Sequence, residues 1–185
     1  MGFHTFDSDR ADQLDDASRY RWCSGEELVS LLSPAPTETV ADLGSGTGFY
    51  TDLIAPYAET VNAVDVQSEM HERYEENGVP DNVRTVTAPI DGLPFGDETI
   101  DAAFSTMTYH EFSGPAATEE IARVLRPGGR IVIVDWTRDG RGEDGPPLEE
   151  RHGLGHAVSA LSDGGFVVDH AVTRTETFAC RARTR

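Results

Sequence analysis

The stretch that decides the fold runs Val40-Ala41-Asp42-Leu43-Gly44-Ser45-Gly46-Thr47-Gly48. Its apolar start is typical of a buried strand, and its glycines are typical of a tight turn. The residues that follow, from Phe49 to about Tyr57, are typical of a helix. Glycines at G-x-G-x-G spacing let the main chain adopt unusual angles and approach a ligand closely. The spacing differs from the dinucleotide-binding G-x-G-x-x-G pattern, because position 49 is Phe.

Strand and helix patterns alternate on both sides of this loop. Before it, Ser24 and Glu27 have capping-box spacing and predict a helix that Pro34 ends. After it, the predicted strands are 61–65, 82–87, 100–105, 130–136, 166–170 and 173–181, and the predicted helices are 68–77, 116–125 and 148–162. This alternation predicts an α/β fold with a doubly wound, mostly parallel, Rossmann-like sheet of seven strands. The last two strands lie too close in sequence for a crossover and predict a C-terminal antiparallel hairpin.

The chain divides into two parts by composition. Residues 1–36 are predicted to form an N-terminal helical arm or cap, and residues 37–185 a single domain. The arm is acidic and ends in an aromatic cluster; its acids are Asp7, Asp9, Asp12, Asp15 and Asp16, and the cluster is Tyr20-Arg21-Trp22.

The composition excludes several classes of protein. The chain has 185 residues and a formal net charge of −18, which argues against binding to nucleic acid or an anionic membrane surface. No apolar stretch reaches the ~20 residues that a membrane span requires, and no signal-peptide pattern begins the chain. Cys23 and Cys180 are too few for a disulfide framework. We expect a soluble cytoplasmic protein that is a monomer or a homodimer.

The basic residues have an unusual composition: all 15 are Arg, and Lys is absent. A GC-biased genome favours Arg over Lys, but it does not account for 33 acidic residues. Dense carboxylates keep a protein hydrated in molar salt, where the Debye length falls to ~3 Å and self-repulsion is screened. We therefore predict a halophilic protein from a salt-rich cytoplasm.

An acidic residue ends the strand that follows the glycine loop. Asp65 comes 17 residues after Gly48, and an acid at this place in an α/β fold accepts hydrogen bonds from both hydroxyls of a ribose. The alternative is that Asp65 caps the helix beginning near Ser68. Because ligands of open α/β sheets bind at the carboxyl ends of the strands, we expect the loop, Asp65 and the segment after Ser105 on one rim.

With the loop and the acid in place, the chain resembles class I S-adenosylmethionine-dependent methyltransferases. The resemblance extends from about residue 38 to 136. Its further motifs are Val64-Asp65-Val66, Leu93-Pro94-Phe95 with Ile100-Asp101, and residues 120–129, EIARVLRPGG. Within that family the chain is similar to the small-molecule branch that includes ubiquinone and menaquinone biosynthesis methyltransferases.

The resemblance implies S-adenosylmethionine as the cofactor. The implied cofactor-binding residues are Asp42, Gly44, Ser45, Gly46 and Gly48 for the methionine moiety, Asp65 for the ribose, Val66 and Met70 near the adenine, and Ser105 beside the sulfonium. One position departs from the family pattern: Pro89 stands where an Asp commonly contacts the adenine amino group. That contact is instead expected from the main chain at Ala88 or Ile90, or from Asp91.

The resemblance places the methyl acceptor beside residues 107–112, where Tyr109 and His110 are the candidate catalytic residues. His110 can serve as a general base near neutral pH, with Glu111 orienting it. The alternative is that His110 packs against a lid and Glu111 is solvated.

Further candidates for the acceptor site follow in the sequence. The residues Arg19, Tyr20 and Trp22 of the arm either cap the site or simply pack. Trp136 is expected to line an acceptor pocket, and Arg151 to face an anionic acceptor. His152 and His156 have the i, i+4 spacing of metal ligands, but without a third ligand we predict two surface histidines and no metal site.

The implied function is methyl transfer from S-adenosylmethionine to oxygen, carbon or nitrogen of a small molecule. The tetrapeptide Asn/Asp-Pro-Pro-Tyr/Phe, typical of amino methylation of DNA bases, is absent. Two alternatives remain open: an NAD-dependent oxidoreductase with the same sheet, and a non-catalytic cofactor-binding module that partners an active subunit.

Overall fold

The computed structural model describes residues 14–185. It contains seven strands and six α-helices within that range, joined by short loops and three-residue to five-residue 3₁₀ turns. The strands are β1 Thr39–Leu43, β2 Thr60–Asp65, β3 Val83–Thr87, β4 Ile100–Thr106, β5 Leu125–Trp136, β6 Val167–Thr173 and β7 Thr177–Arg183. The helices are α1 Gly25–Leu32, α2 Phe49–Ile54, α3 Ser68–Asn77, α4 Tyr109–Phe112, α5 Pro115–Val124 and α6 Leu154–Asp163.

The strands form one sheet in the order β3-β2-β1-β4-β5-β7-β6. The first five are parallel, and β7 is antiparallel to both β5 and β6. The predicted doubly wound sheet with a C-terminal hairpin is therefore confirmed. The strand order reverses between β1 and β4, so the carboxyl ends of the central strands form the switch point where such sheets bind ligands.

Two apolar clusters cover the two faces of the sheet, because successive side chains of a strand point to opposite faces. In β4, Ala102 and Phe104 belong to one cluster and Ala103 to the other, whereas Ile100 lies before a register shift in the strand. The central strands are buried on both faces, as expected for a parallel sheet with helices on each side. This double packing fixes the positions of the strand ends that carry the candidate site.

Helix α1 begins as the sequence predicts. The hydroxyl of Ser24 accepts a hydrogen bond from the N–H of Glu27 at 3.2 Å, which satisfies one of the free donors at the helix start. No helix within residues 14–185 is long and apolar enough to cross a membrane.

Two predicted boundaries at the C-terminal side are wrong. The helix predicted over 148–162 is a short 3₁₀ turn, Leu148–Glu150, followed by α6, because Arg151 is pulled into the interior and Gly153 becomes the residue that precedes the helix. The hairpin turn lies at 174–176 instead of 171–172, since Glu176 is also drawn inward.

Candidate functional site

The glycine loop connects β1 to α2 and folds over the end of β2. The N–H groups of Gly44 and Ser45 both donate to the carbonyl oxygen of Val64, at 2.8 and 2.9 Å. Gly44, Gly46 and Gly48 have positive φ angles of 81°, 53° and 88°. Residues with a side chain rarely adopt that conformation, so the path of the loop depends on these glycines.

Two of the three glycines make room for the protein's own side chains. A Cβ on Gly44 would lie 2.4 Å from the methyl group of Thr108, and a Cβ on Gly48 would lie 2.2 Å from the ring of Tyr74. The sequence suggested that the glycines clear space for a ligand. In the structure, the close approach at Gly44 instead brings the segment after β4 onto the loop.

Asp65 holds the loop from the adjacent strand. One carboxylate oxygen accepts from the N–H of Gly46 and the other from the N–H of Gln67, each at 2.9 Å. A carboxylate oxygen has two lone pairs, so after these bonds within residues 14–185 each oxygen retains one for a further donor. Asp65 thus closes the turn before α3 but does not cap that helix, which has no side-chain cap, and it still has the capacity to accept two ribose hydroxyls.

Asp42 lies fully buried beneath the loop. One of its oxygens accepts from the hydroxyl of Thr51 at 2.6 Å, and the other has no hydrogen-bond partner. Burial raises the pKa of Asp42 to about 7, against the opposing effects of the Thr51 hydrogen bond and the nearby Arg19 guanidinium. The carboxyl group therefore changes charge close to neutral pH.

Unpaired buried polar atoms are concentrated at this rim. Buried polar groups are normally hydrogen-bonded, so an unpaired one indicates a missing partner. Within residues 14–185, the unpaired buried side-chain atoms are Asp42 Oδ1, Ser45 Oγ, His71 Nε2, Ser105 Oγ and the hydroxyl of Tyr109. Three of them, on Asp42, Ser45 and Ser105, belong to residues that the resemblance assigns to the cofactor. The donor and acceptor set here fits a polar ligand such as S-adenosylmethionine.

The residues expected around the adenine divide into two groups. Val66 is 51% exposed and offers an apolar surface next to Asp65, whereas Met70 is 1% exposed and packs in the interior. The N–H of Ala88 donates to the carbonyl of Asp65 at 3.0 Å. The Ala88 N–H is therefore already used within the protein, and the packing of Met70 near the adenine stays a prediction.

The residues next to Pro89 offer fewer groups for contact with the adenine than the sequence suggested. The Ala88 carbonyl and the main chain of Ile90 remain as candidates, and Ile90 itself is buried. Pro89 and Asp91 are exposed. An acceptor for the adenine amino group is therefore expected from the Ala88 carbonyl or the Asp91 carboxylate.

His110 lies on α4, and Asp135 at the end of β5 holds it from two directions. The N–H of His110 donates to one oxygen of Asp135 at 2.7 Å, and the ring Nδ1 lies 3.1 Å from both oxygens. The sequence offered Glu111 as one candidate for the orienting acid. The structure places Asp135 in hydrogen-bonding contact with His110 instead, because β4 and β5 are parallel neighbours and their carboxyl ends bring Asp135 against the start of α4.

Glu111 faces the opposite side of the imidazole ring. Its Oε1 lies 4.0 Å from His110 Nε2, and its side chain is 21% exposed, so it is not the solvated residue of the alternative interpretation. Burial acts to lower the pKa of His110, but the Asp135 hydrogen bond and the charges of Asp135, Glu111 and Glu150 outweigh it and raise that pKa. Burial raises the pKa of Glu111 to about 7, and the charges of Asp65 and Asp135 add to the increase.

Tyr109 is not placed as a catalytic residue. It is 2% exposed, and its ring packs edge-on against Phe112 and Phe178. Burial raises the pKa of its hydroxyl far above the usual range, so the group does not ionise near neutral pH. We therefore assign Tyr109 to the core, although its hydroxyl lacks a partner.

The described part of the arm lies along the glycine loop. The carboxylate of Asp15 accepts a hydrogen bond from the hydroxyl of Thr47 at 2.5 Å. The guanidinium of Arg19 lies 5.1 Å from the centre of the Tyr50 ring. Trp22 contacts Trp136 at 5.3 Å between ring centres. The arm thus extends from the glycine loop to the end of β5. The predicted acids Asp7, Asp9 and Asp12 lie outside the described residues.

Arg151 does not face the acceptor site. Its side chain is 1% exposed and forms an ion pair with the equally buried Glu176 at 3.1 Å. It also donates to the carbonyls of Asp144 and Pro146, and its guanidinium lies over the ring of Trp136. The prediction that Arg151 faces an anionic acceptor is wrong; it anchors the loop between β5 and α6. Trp136 is covered by this loop and is 8% exposed.

The two histidines after this loop stack on each other, with ring centres 4.0 Å apart. His152 Nε2 lies 2.7 Å from the hydroxyl of Ser113, so it is a packed residue and not a free surface histidine. No group of three His, Cys, Asp or Glu side chains that could hold a metal ion occurs between residues 14 and 185.

Asp135 is the functional residue that sequence reasoning missed as a partner of His110. The signal was present: His110 follows one predicted strand, and Asp135 lies near the end of the next predicted strand. Thr108 was also missed, and its contact with Gly44 places α4 directly beside the glycine loop.

Comparison with known proteins assigns the chain to a methyltransferase family. Residues 41–133 match the family model described as a methyltransferase domain. An uncharacterized methyltransferase of Mycobacterium tuberculosis is 34% identical over 136 residues, which cover 68% of this chain and 55% of that protein. A demethylmenaquinone methyltransferase of Corynebacterium kroppenstedtii is 35% identical over 107 residues, 57% of this chain and 45% of that protein. The chain spans about half the length of these curated relatives.

The fold also matches a solved structure over its whole length. The crystal structure of an S-adenosylmethionine-dependent methyltransferase from Aquifex aeolicus superposes with a TM-score of 0.89 at 30% identity. The match covers 98% of this chain and 100% of that one. The glycine loop, Asp65 and the His110–Asp135 pair therefore lie on a scaffold shared with proteins of one family.

Proposed function

The chain belongs to the methyltransferase domain family and has the fold of S-adenosylmethionine-dependent methyltransferases, and from this premise we propose that it methylates an oxygen, carbon or nitrogen atom of a small molecule. The family assignment removes the NAD-dependent oxidoreductase as an alternative. The observation that carries the proposal is the His110–Asp135 pair, which lies next to the glycine loop through the Thr108–Gly44 contact.

Several residues are available to hold the cofactor. Asp65 offers two free lone pairs to ribose hydroxyls, and Val66 offers an exposed apolar surface to the adenine. The unpaired atoms of Asp42, Ser45 and Ser105 can bond the polar methionine end. When bound, S-adenosylmethionine supplies a methyl group activated by a positively charged sulfur. The protein then needs to position the acceptor and remove its proton where the acceptor is a weak nucleophile.

His110 is suited to remove that proton. Asp135 accepts the Nδ1–H, which leaves Nε2 as the free lone pair of the neutral ring. Because the pKa of His110 is raised, the neutral form increases as the pH rises through that pKa. Asp135 also stabilises the imidazolium that forms once the proton has been taken, in the manner of the acid in a hydrolase triad.

Methyl transfer to a panel of quinols, phenols and amines, followed by mass spectrometry, tests this function. We expect a mass gain of one methyl group with at least one acceptor. His110→Asn should lower the rate by roughly 10² to 10⁴, the range of a positioned general base, while it leaves cofactor binding unchanged. Cofactor binding without transfer to any member of the panel would instead favour the non-catalytic module.

We also propose that the protein acts in the cytoplasm as a monomer or a homodimer. The absence of a membrane-spanning helix in residues 14–185 is consistent with the location, and light scattering in molar KCl tests the mass.

A further inference from the structure

Among residues 14–185, the charges that act on His110 are those of three acids, Asp135, Glu111 and Glu150. On its own helix, Glu111 lies 4.0 Å from the imidazole; from β5, Asp135 lies 3.1 Å away. Glu150, on the 3₁₀ turn Leu148–Glu150, and the neighbouring His152 complete the titratable groups on the third side. Asp65 adds its charge to Glu111 from the cofactor side.

The cations in this region are occupied elsewhere. Arg151 is buried in its ion pair with Glu176. Arg138 donates through Nε to the carbonyl of Arg151. The pKa of His152 is lowered mainly by burial, and the charges of His156 and Arg138 lower it further. No arginine of the described chain is among the main charges that act on His110 or Glu111.

We propose that the acceptor site selects neutral or cationic methyl acceptors and rejects anionic ones, with Glu111 as the specificity-determining residue. The inference rests on the proposed function, since it concerns the acceptor of that same site. An anionic acceptor that approaches His110 Nε2 must come within a few ångströms of Glu111. Like charges at such a distance in a partly buried site repel strongly, whereas a cation there is attracted. This selectivity reverses the earlier expectation of an anionic acceptor at Arg151.

The partial burial of Glu111 makes the effect persist in salt. Exposed charges are screened over ~3 Å at 1 M salt, but buried pairs are screened much less. The pKa of Glu111, about 7, adds a pH dependence: above pH 7 the residue is mainly ionised and the discrimination is larger. The other titratable groups that face it are His110, Asp135 and Asp65.

The test uses three probes of equal size: benzylamine, benzyl alcohol and benzoate. The full chain is loaded with S-adenosylhomocysteine in 2 M KCl at pH 8, and the His110 imidazole resonances are followed by NMR during titration. We expect benzylamine and benzyl alcohol to shift these resonances in the millimolar range, with benzoate weaker than benzyl alcohol by about tenfold or more. Glu111→Gln should reduce that difference several-fold. Glu119→Gln, which removes one exposed charge on α5, serves as the matched control and should retain it.

The outcomes separate this inference from the function on which it rests. Benzoate binding as tightly as benzyl alcohol, or no shift of His110 by any probe, overturns the charge selectivity even where S-adenosylhomocysteine binds. Glu111→Gln with undiminished discrimination overturns the assignment to that residue. Failure of S-adenosylhomocysteine to raise the melting temperature would instead contradict the proposed function itself.

Discussion

The pairing of His110 with Asp135 makes the most specific chemical statement at the scale of single residues. A general base with a raised pKa becomes active at a higher pH than an ordinary histidine does. The rate should therefore rise with pH through an inflection above the ordinary histidine value of about 6.5.

Asp135→Asn tests that statement. The substitution removes the negative charge that stabilises the imidazolium, so the inflection should move to lower pH and the maximal rate should fall by about tenfold, part of what a positioned base contributes. The rate of methyl transfer measured from pH 5 to 10 for both proteins checks it. An unchanged inflection would mean that His110 is not the base.

Asp42 predicts a second pH effect, on stability. An acid whose pKa is higher in the folded than in the unfolded chain costs stability as the pH rises from its unfolded value, 3.8, through about 7. Relative to Asp42→Asn, the wild-type protein should lose about 2–4 kcal/mol of unfolding free energy between pH 4 and 8 without cofactor. Urea unfolding at constant KCl concentration measures the difference. A pH-independent difference would contradict the burial of an ionisable Asp42.

Some residues of the site followed from the sequence and others could not. Asp65 was placed correctly because a strand end and its neighbouring loop are local features. The burial of Met70 depends on the rotation of α3 against the sheet, and the use of the Ala88 N–H depends on pairing between β2 and β3. Neither is encoded in the spacing of the motifs, so the sequence could not predict them.

At the scale of elements, the loop from 137 to 152 is fixed by one buried ion pair. Glu176 accepts from the N–H groups of Arg141 and Gly142 as well as from Arg151. The sequence predicted a loop rich in Gly, Asp and Pro, but the ion pair joins the hairpin turn to a segment 25 residues away. Only the folded sheet brings β7 beside β5, so Arg151 was misread as a ligand-binding residue.

Glu176→Gln should therefore destabilise the protein strongly, because it leaves the Arg151 cation buried without its counter-charge. We expect a loss of about 3 kcal/mol in the unfolding free energy. The exposed pair of Arg141 with Glu143 provides the control, and Glu143→Gln should change stability by less than about 0.5 kcal/mol. Equal effects of the two substitutions in denaturant unfolding would contradict the anchoring role.

The whole molecule carries its charge mainly as exposed carboxylates, with a net charge of −18 and no Lys. The doubly wound sheet and the hairpin were predictable, because alternating strands and helices and right-handed crossovers leave few topologies. The charge carries a separate prediction. Repulsion among exposed acids should be screened by salt, so the melting temperature should rise by about 10 °C or more between 0.1 M and 2 M KCl. A melting temperature that does not change with KCl would contradict the halophilic interpretation.

The central claim is that this chain binds S-adenosylmethionine through the glycine loop and Asp65. Isothermal titration calorimetry of the wild-type protein and Asp65→Ala with S-adenosylmethionine, in 2 M KCl, tests it most directly. We predict saturable binding at one site per chain for the wild type and a loss of at least about 10²-fold in affinity for Asp65→Ala, since two hydrogen bonds to the ribose are removed. No binding by the folded wild-type protein, or equal affinity of the two proteins, would contradict the claim.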